Sequence, residues 1–244
     1  MVAAAGDAAS ARSADETLRR AAMSVGHPLN RTLLALTFTT GLVDAVSYLG
    51  LGRVFTANMT GNVVLLGFGI AGSAGLPVLA PIVSLLAFLV GAGLGGALVR
   101  RAAGRHAALV ARALGIEAAM LAVAAIVAAA DTVHAGQFLA YLLIVAMAFA
   151  MGVRNAVVRH IGVPDMTTTV LTMTLTGLAA ESRVAGGPGA GSVRRLSAVV
   201  AMLVGAIAGA LLLEISLFVP VAAAAVIALG TWRLYVPGAQ GRAR

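Results

Sequence analysis

The sequence predicts an all-α integral membrane protein with six transmembrane helices, two polar re-entrant or half-helix segments, and an inverted 3+3 repeat. Three observations carry this. Hydrophobic residues make up 60% of the 244 and charged residues 11%, against about 45–50% and about 25% in soluble domains. The apolar residues gather in long runs whose ends are marked by arginine. Related blocks recur in the two halves of the chain at a nearly constant offset. The composition alone excludes a soluble multidomain enzyme.

In chain order, residues 1–31 form a polar tail of mixed charge, with Arg12, Arg19, Arg20 and Arg31 against Asp7, Asp15 and Glu16. It has no short apolar run followed by a small-residue cleavage site, so it reads as a disordered cytoplasmic tail and not a secretory signal. The first membrane repeat covers 32–130 and the second 136–236, with a short cytoplasmic tail at 237–244. Within them the strong apolar runs are 32–52, interrupted by Asp44, then 82–99, 113–130 with Glu117 near its start, 138–153, 196–213 and 215–232. Each approaches the ~20 residues that carry a helix across ~30 Å of hydrocarbon.

Two further stretches, 54–72 and 166–180, are uncharged but rich in Thr, Asn and Gly. Charge placement decides whether they cross. Every one of the 17 basic residues is arginine. With six spans and a cytoplasmic N-terminus, all of them except Arg53 fall inside; with eight spans they divide 10 inside to 7 outside. The excess of arginine in cytoplasmic loops favours six, with both termini cytoplasmic and 54–72 and 166–180 re-entrant. The same scatter of arginines along a hydrophobic chain argues against nucleic acid as a partner.

The repeat fits that count. Gly41-Leu-Val-Asp44-Ala45-Val46 aligns with Gly152-Val-Arg-Asn155-Ala156-Val157, and Asn58-Met-Thr-Gly-Asn62 with Val170-Leu-Thr-Met-Thr174. Leu89-Val-Gly91-Ala-Gly-Leu-Gly95 aligns with Leu203-Val-Gly205-Ala-Ile-Ala-Gly209. Three crossings per unit is an odd number, so the second unit lies upside down relative to the first, a recurrent transporter plan.

The blocks GLVDAVSYLGLGRVFTANMTGNVVLLG and MGVRNAVVRHIGVPDMTTTVLTMTLTG resemble the two signature blocks of the YoaK-like family, bacterial inner-membrane proteins grouped as a domain of unknown function. The resemblance runs over about residues 31–236 and is most specific in Ala-Asn-Met-Thr-Gly-Asn. It implies a multi-span protein of the bacterial cytoplasmic membrane, loosely called a permease, with no established substrate. Many relatives carry Gln in place of Arg154 and Thr-Gly-Asn in place of Thr172-Met173-Thr174, so the two halves here are less alike than the family pattern.

Asp44 is the most informative residue. Counted from residue 32 it lies ~18 Å into the membrane, where a carboxylate faces a cavity, pairs or is protonated. Two readings are open: a proton- or cation-coupling acid, or a structural ion pair or hydrogen-bond acceptor. Arg154 is the candidate partner, and the competing reading makes it a snorkelling cytoplasmic anchor. Asn58, Thr60 and Asn62, with Asn155, Thr168, Thr172 and Thr174, supply neutral donors and acceptors for a solute path, or else join helices by hydrogen bonds. Gly91/Gly95 and Gly205/Gly209 are small-residue pairs suited to close helix packing inside the bundle or across a dimer.

Glu117 and Glu181 are expected near cytoplasmic ends, in solvated or interfacial roles, and Glu214 at an outer turn. With no cysteine, thiol catalysis and cysteine-held metals are excluded. His27, His106, His134 and His160 lack metal-ligand spacing, and no catalytic motif appears. The expectation is therefore a non-enzyme without cofactor or metal. It is a small-solute transporter or channel in the lipid bilayer, coupled to protons through Asp44, with a homo-oligomer allowed. The alternative is a non-transporting scaffold or regulatory partner protein.

Overall fold

A computed structural model describes residues 28–73, 75–102, 106–130, 133–161, 171–189 and 191–240. They form eight α-helices: α1 (Pro28–Gly50), α2 (Met59–Ile70), α3 (Leu79–Arg101), α4 (His106–Ala128), α5 (Phe138–Ile161), α6 (Leu171–Ala180), α7 (Ser192–Leu213) and α8 (Phe218–Gln240). A 3-10 turn, Arg183–Ala185, joins α6 to α7. Five of the helices, α1, α3, α4, α5 and α7, are long and apolar enough to cross a membrane. The protein is a multi-span helical bundle.

Several boundaries move outward from the sequence reading. The first helix starts at Pro28, inside the expected tail, with proline's fixed φ suiting the first turn. Residues 1–27 lie outside the described residues. The fourth helix starts at His106 and not at 113, because Arg112 sits on an exposed face and does not end the helix. The eighth runs to Gln240, into the expected 237–244 tail. The stretch 54–72 is helical only from Met59, over 12 residues, and α6 has 10. At ~1.5 Å per residue these reach about 18 and 15 Å, half a bilayer's hydrocarbon.

Helix directions follow from what packs at each end. One apolar cluster joins Leu33 and Leu36 of early α1, Leu109 and Leu114 of early α4, and Val153 and Val157 of late α5, with Leu98 and Val99 of late α3 and Trp232 of late α8 against it. The other joins Leu42 and Val46 of late α1, Leu121 and Ala125 of late α4, Leu143 and Met147 of early α5, Ala80 of early α3 and Val221 of early α8. So α1 and α4 run one way and α3, α5 and α8 the other. The seventh helix runs with α1, since Gly205 meets Phe38 and Gly209 meets Leu42. Consecutive long helices therefore alternate, and the segments containing α2 and α6 each leave and return at one end of the bundle.

The packing pattern repeats between halves. The third helix lies against α5 and α7 against α1, α4 lies against α5 and α8 against α1, and α4 meets α8. Exchanging the first four helices for the last four maps this set onto itself. The seams agree residue by residue. A Cβ built on Gly205 would lie 2.1 Å from the Phe38 carbonyl oxygen, and one on Gly91 2.2 Å from that of Phe149. Similarly Gly41 faces Met202 and Gly152 faces Phe88, while Gly209 meets Ala45 and Gly95 meets Ala156. Only residues without side chains let the backbones come so near.

Candidate functional site

The chain leaves α1 through Gly52 at φ 100 and Arg53 at φ 58. The first is a conformation glycine adopts without penalty, and it turns the chain back toward the bundle. Residues 51–58 then run as non-helical backbone, in which Leu51, Val54, Thr56 and Ala57 are buried. Irregular backbone at membrane depth requires protein to satisfy its polar groups. Three side chains do so here.

Asp44 Oδ1 accepts the N–H of Thr56 at 3.1 Å and of Ala57 at 2.9 Å. Asn62, fully buried, accepts the Phe55 N–H at 2.9 Å and donates Nδ2 to the Phe55 carbonyl at 2.7 Å, so one amide serves both backbone groups of a single residue. Ser84 of α3 donates to the same carbonyl at 2.7 Å and accepts from Asn62 Nδ2 at 3.1 Å. Asn58 caps α2, accepting the Gly61 N–H at 3.1 Å. The positive N-terminal end of α2 thus opens inside the bundle near a carboxylate, a favourable placement of charge.

Arg154 does not pair with Asp44, and it is no snorkelling anchor. It is buried at 1% exposure and ties three helices together. Nη1 donates to Glu117 Oε1 of α4 at 2.8 Å and to the Leu36 carbonyl of α1 at 3.2 Å. Nη2 donates to Thr40 Oγ1, whose own hydroxyl bonds back to Leu36. The expected solvated role of Glu117 is overturned for the same reason. Because α4 starts at His106, Glu117 lies about three turns inside the helix, fully buried. Its Oε2 is buried without a hydrogen-bond partner, and so is Arg154 Nε. A cavity of about 20 Å³, room for about one water molecule, lies between α1, α4 and α5 beside Arg154.

The remaining candidates are dispersed. Thr60 and Thr172 are exposed on the outside of α2 and α6, while Thr174 is buried at the position that the repeat matches to Asn62. Asn155 donates Nδ2 to the Met151 carbonyl at 2.8 Å. Thr168 lies outside the described residues. Glu181 is half exposed and holds Arg195 at 2.8 Å, an interfacial pairing that ties the end of α6 to α7. Sequence reasoning passed over Ser84 and Thr40, and assigned Glu117 to the surface. A lone hydroxyl in an apolar helix was the available signal for Ser84.

A family model described as "Protein of unknown function (DUF1275)" matches residues 32–232. The UPF0700 transmembrane protein YoaK of Bacillus subtilis (strain 168) is 33% identical over 149 residues, which cover 61% of this chain and 65% of that protein. The match thus spans a little under two thirds of that relative's length. No solved structure matches. The matched region takes in every described helix from α1 to the greater part of α8, both polar segments and the Arg154–Glu117 pair, and on that extent the chain belongs to the DUF1275 family of proteins of unknown function.

Proposed function

We propose that this chain is a small-solute transporter or channel of the bacterial inner membrane, built from two inverted units of three crossings each, with both termini cytoplasmic. The observation that carries this reading is the buried, non-helical segment 51–58, which ends in an inward-opening helix N-terminus. Such backbone is kept at membrane depth where it lines a path or site, and paired broken helices near the repeat axis form the sites of known inverted-repeat carriers. The alternating long helices and the seam contacts exchanged between halves support the inversion. The path runs between the two polar segments, with Asn58 and Asn62 from one and Thr174 from the other, beside Asp44, Arg154 and Asn155; Thr60 and Thr172, on the outer faces of α2 and α6, lie off it.

Two experiments test it. The chain has no native cysteine, so single cysteines at Ala103 and Ala135 report the side of each loop to a membrane-impermeant thiol reagent in intact cells. Labelling at Ala135 with protection at Ala103 is the expected result; the reverse overturns the cytoplasmic placement of the termini, and the same outcome at both positions overturns the odd number of crossings between them. For transport, purified protein in liposomes is challenged with a panel of small neutral and anionic solutes, and swelling is followed by light scattering. Faster swelling than protein-free liposomes for at least one solute is expected. Identical rates throughout, with correctly inserted protein, overturn transport and leave the scaffold reading.

A further inference from the structure

The two buried acids are held in different ways, and one arginine binds the first and is anchored one helical turn from the second. Asp44 spends its Oδ1 on the N–H groups of Thr56 and Ala57. Glu117 spends Oε1 on Arg154, while its Oε2 is buried with no partner. Arg154 is anchored at Thr40, four residues before Asp44 on α1. Along α1, Asp44 is therefore about one helical turn, ~6 Å of backbone rise, beyond the present anchor. With all three groups ionised the cluster carries one uncompensated negative charge, which a low-dielectric interior opposes.

We propose that Glu117 is a proton-binding site, and that Arg154 transmits its occupancy to the re-entrant segment by exchanging Glu117 for Asp44. Hydronium from the aqueous phase gives a proton to a carboxylate oxygen of Glu117: one O–H bond forms on the carboxyl, one breaks in the hydronium ion, and water is left. The neutral acid no longer holds the guanidinium by charge. Arg154 then turns to the remaining carboxylate, and Asp44, drawn to it, releases the Thr56 and Ala57 N–H groups. The segment 51–58 loses its carboxylate tether to α1, keeping the Tyr48–Phe55 ring stack and the side-chain hydrogen bonds of Asn62 and Ser84. Among the described residues the other ionisable groups of the packed helices do not compete. Arg31, Arg100, Arg101, Arg112, Arg159, His160 and Arg233 are exposed, and Tyr48 and Tyr141 lie toward the opposite ends of their helices from Arg154. Arg194 and Arg195 are buried on α7, but about ten residues before its Gly205–Phe38 contact with α1, at the end away from Asp44, and Arg195 is held by Glu181.

This deepens the transport reading by placing the coupling proton on Glu117 in place of Asp44, yet its test needs no solute. Amide hydrogen exchange of 51–58 is measured on the full chain in lipid nanodiscs, corrected for intrinsic pH dependence. Protection is expected to fall by about tenfold, the effect of two lost hydrogen bonds, on going from alkaline to acidic pH. In Glu117→Gln it is low at both, and in Glu117→Gln/Arg154→Gln it returns, because no guanidinium competes for Asp44. A double variant that exchanges faster than the single one marks simple loosening and overturns the relay. Should Glu117→Gln not fold, the unmodified protein decides: corrected protection independent of pH overturns the proposal. Flux without pH-dependent exchange sinks this inference alone, whereas pH-dependent exchange without flux sinks the transport reading alone.

Discussion

Replacing Gly205 by alanine puts a methyl group where the structure has none to spare. The new Cβ would sit 2.1 Å from the Phe38 carbonyl oxygen, 1.3 Å short of the 3.4 Å at which ordinary contact begins. Neither atom belongs to a flexible side chain, so α7 and α1 must separate. A radial gap of 0.5–1 Å forfeits about a quarter to a half of each ~0.1–0.2 kcal/mol atom contact along the seam. With overpacking costs of ~1–3 kcal/mol as the guide, Gly205→Ala is expected to destabilise by about 2–3 kcal/mol. Gly91→Ala, with its Cβ 2.2 Å from the Phe149 oxygen, is expected to match it. Gly93 supplies the control, because a Cβ there meets nothing within 4 Å and the residue is exposed. Its alanine variant should stay within about 0.5 kcal/mol of the parent. The assay is unfolding in mixed micelles of rising SDS fraction, followed by the fluorescence of Trp232, the single tryptophan. Equal unfolding midpoints for Gly205→Ala and Gly93→Ala would refute the seam argument.

Arg154→Met strands the buried Glu117 carboxylate and should cost about 3–5 kcal/mol in the same assay, most of it recovered by adding Glu117→Leu. No recovery in the double variant would show that the two do not act as a pair. Asn62→Ala removes the acceptor of the Phe55 N–H and one of the two donors to its carbonyl, and about 1–3 kcal/mol is expected, read as faster amide exchange across 51–58. Ser84→Ala should cost less, about 1 kcal/mol, since Asn62 still serves the Phe55 carbonyl. Exchange unchanged by Asn62→Ala would mean that the segment is held by Asp44 and apolar packing alone.

Much of the architecture was legible because bilayer solvation acts on local sequence. Runs of Ala, Leu and Val mark helices whatever they pack against, and the glycines at 41, 91, 152 and 205 recur because each seam needs them. The polar segments were legible as exceptions, since Asn62 and Asp44 at such depth demand partners. Glu117 was misplaced because its depth depends on where α4 begins, and Arg112 looked like an end although it lies on an exposed face of that helix. The partner of Arg154 was misjudged for a related reason. Depth along an axis narrows the candidates, but only rotation about each axis selects among them.

By itself the sequence determined that this chain is a multi-span helical protein, that its two halves carry matching blocks, and where its uncharged polar segments lie. Those properties follow from composition and spacing, which hydrocarbon reads one residue at a time. The tertiary structure decided that Arg154 bridges α1, α4 and α5, that Asp44 serves peptide groups instead of an arginine, and that Asn62 and Ser84 close around Phe55. A hydrogen bond depends on distances of a few tenths of an ångström between residues far apart in the chain. Such distances are fixed only when the glycine seams bring the helices together.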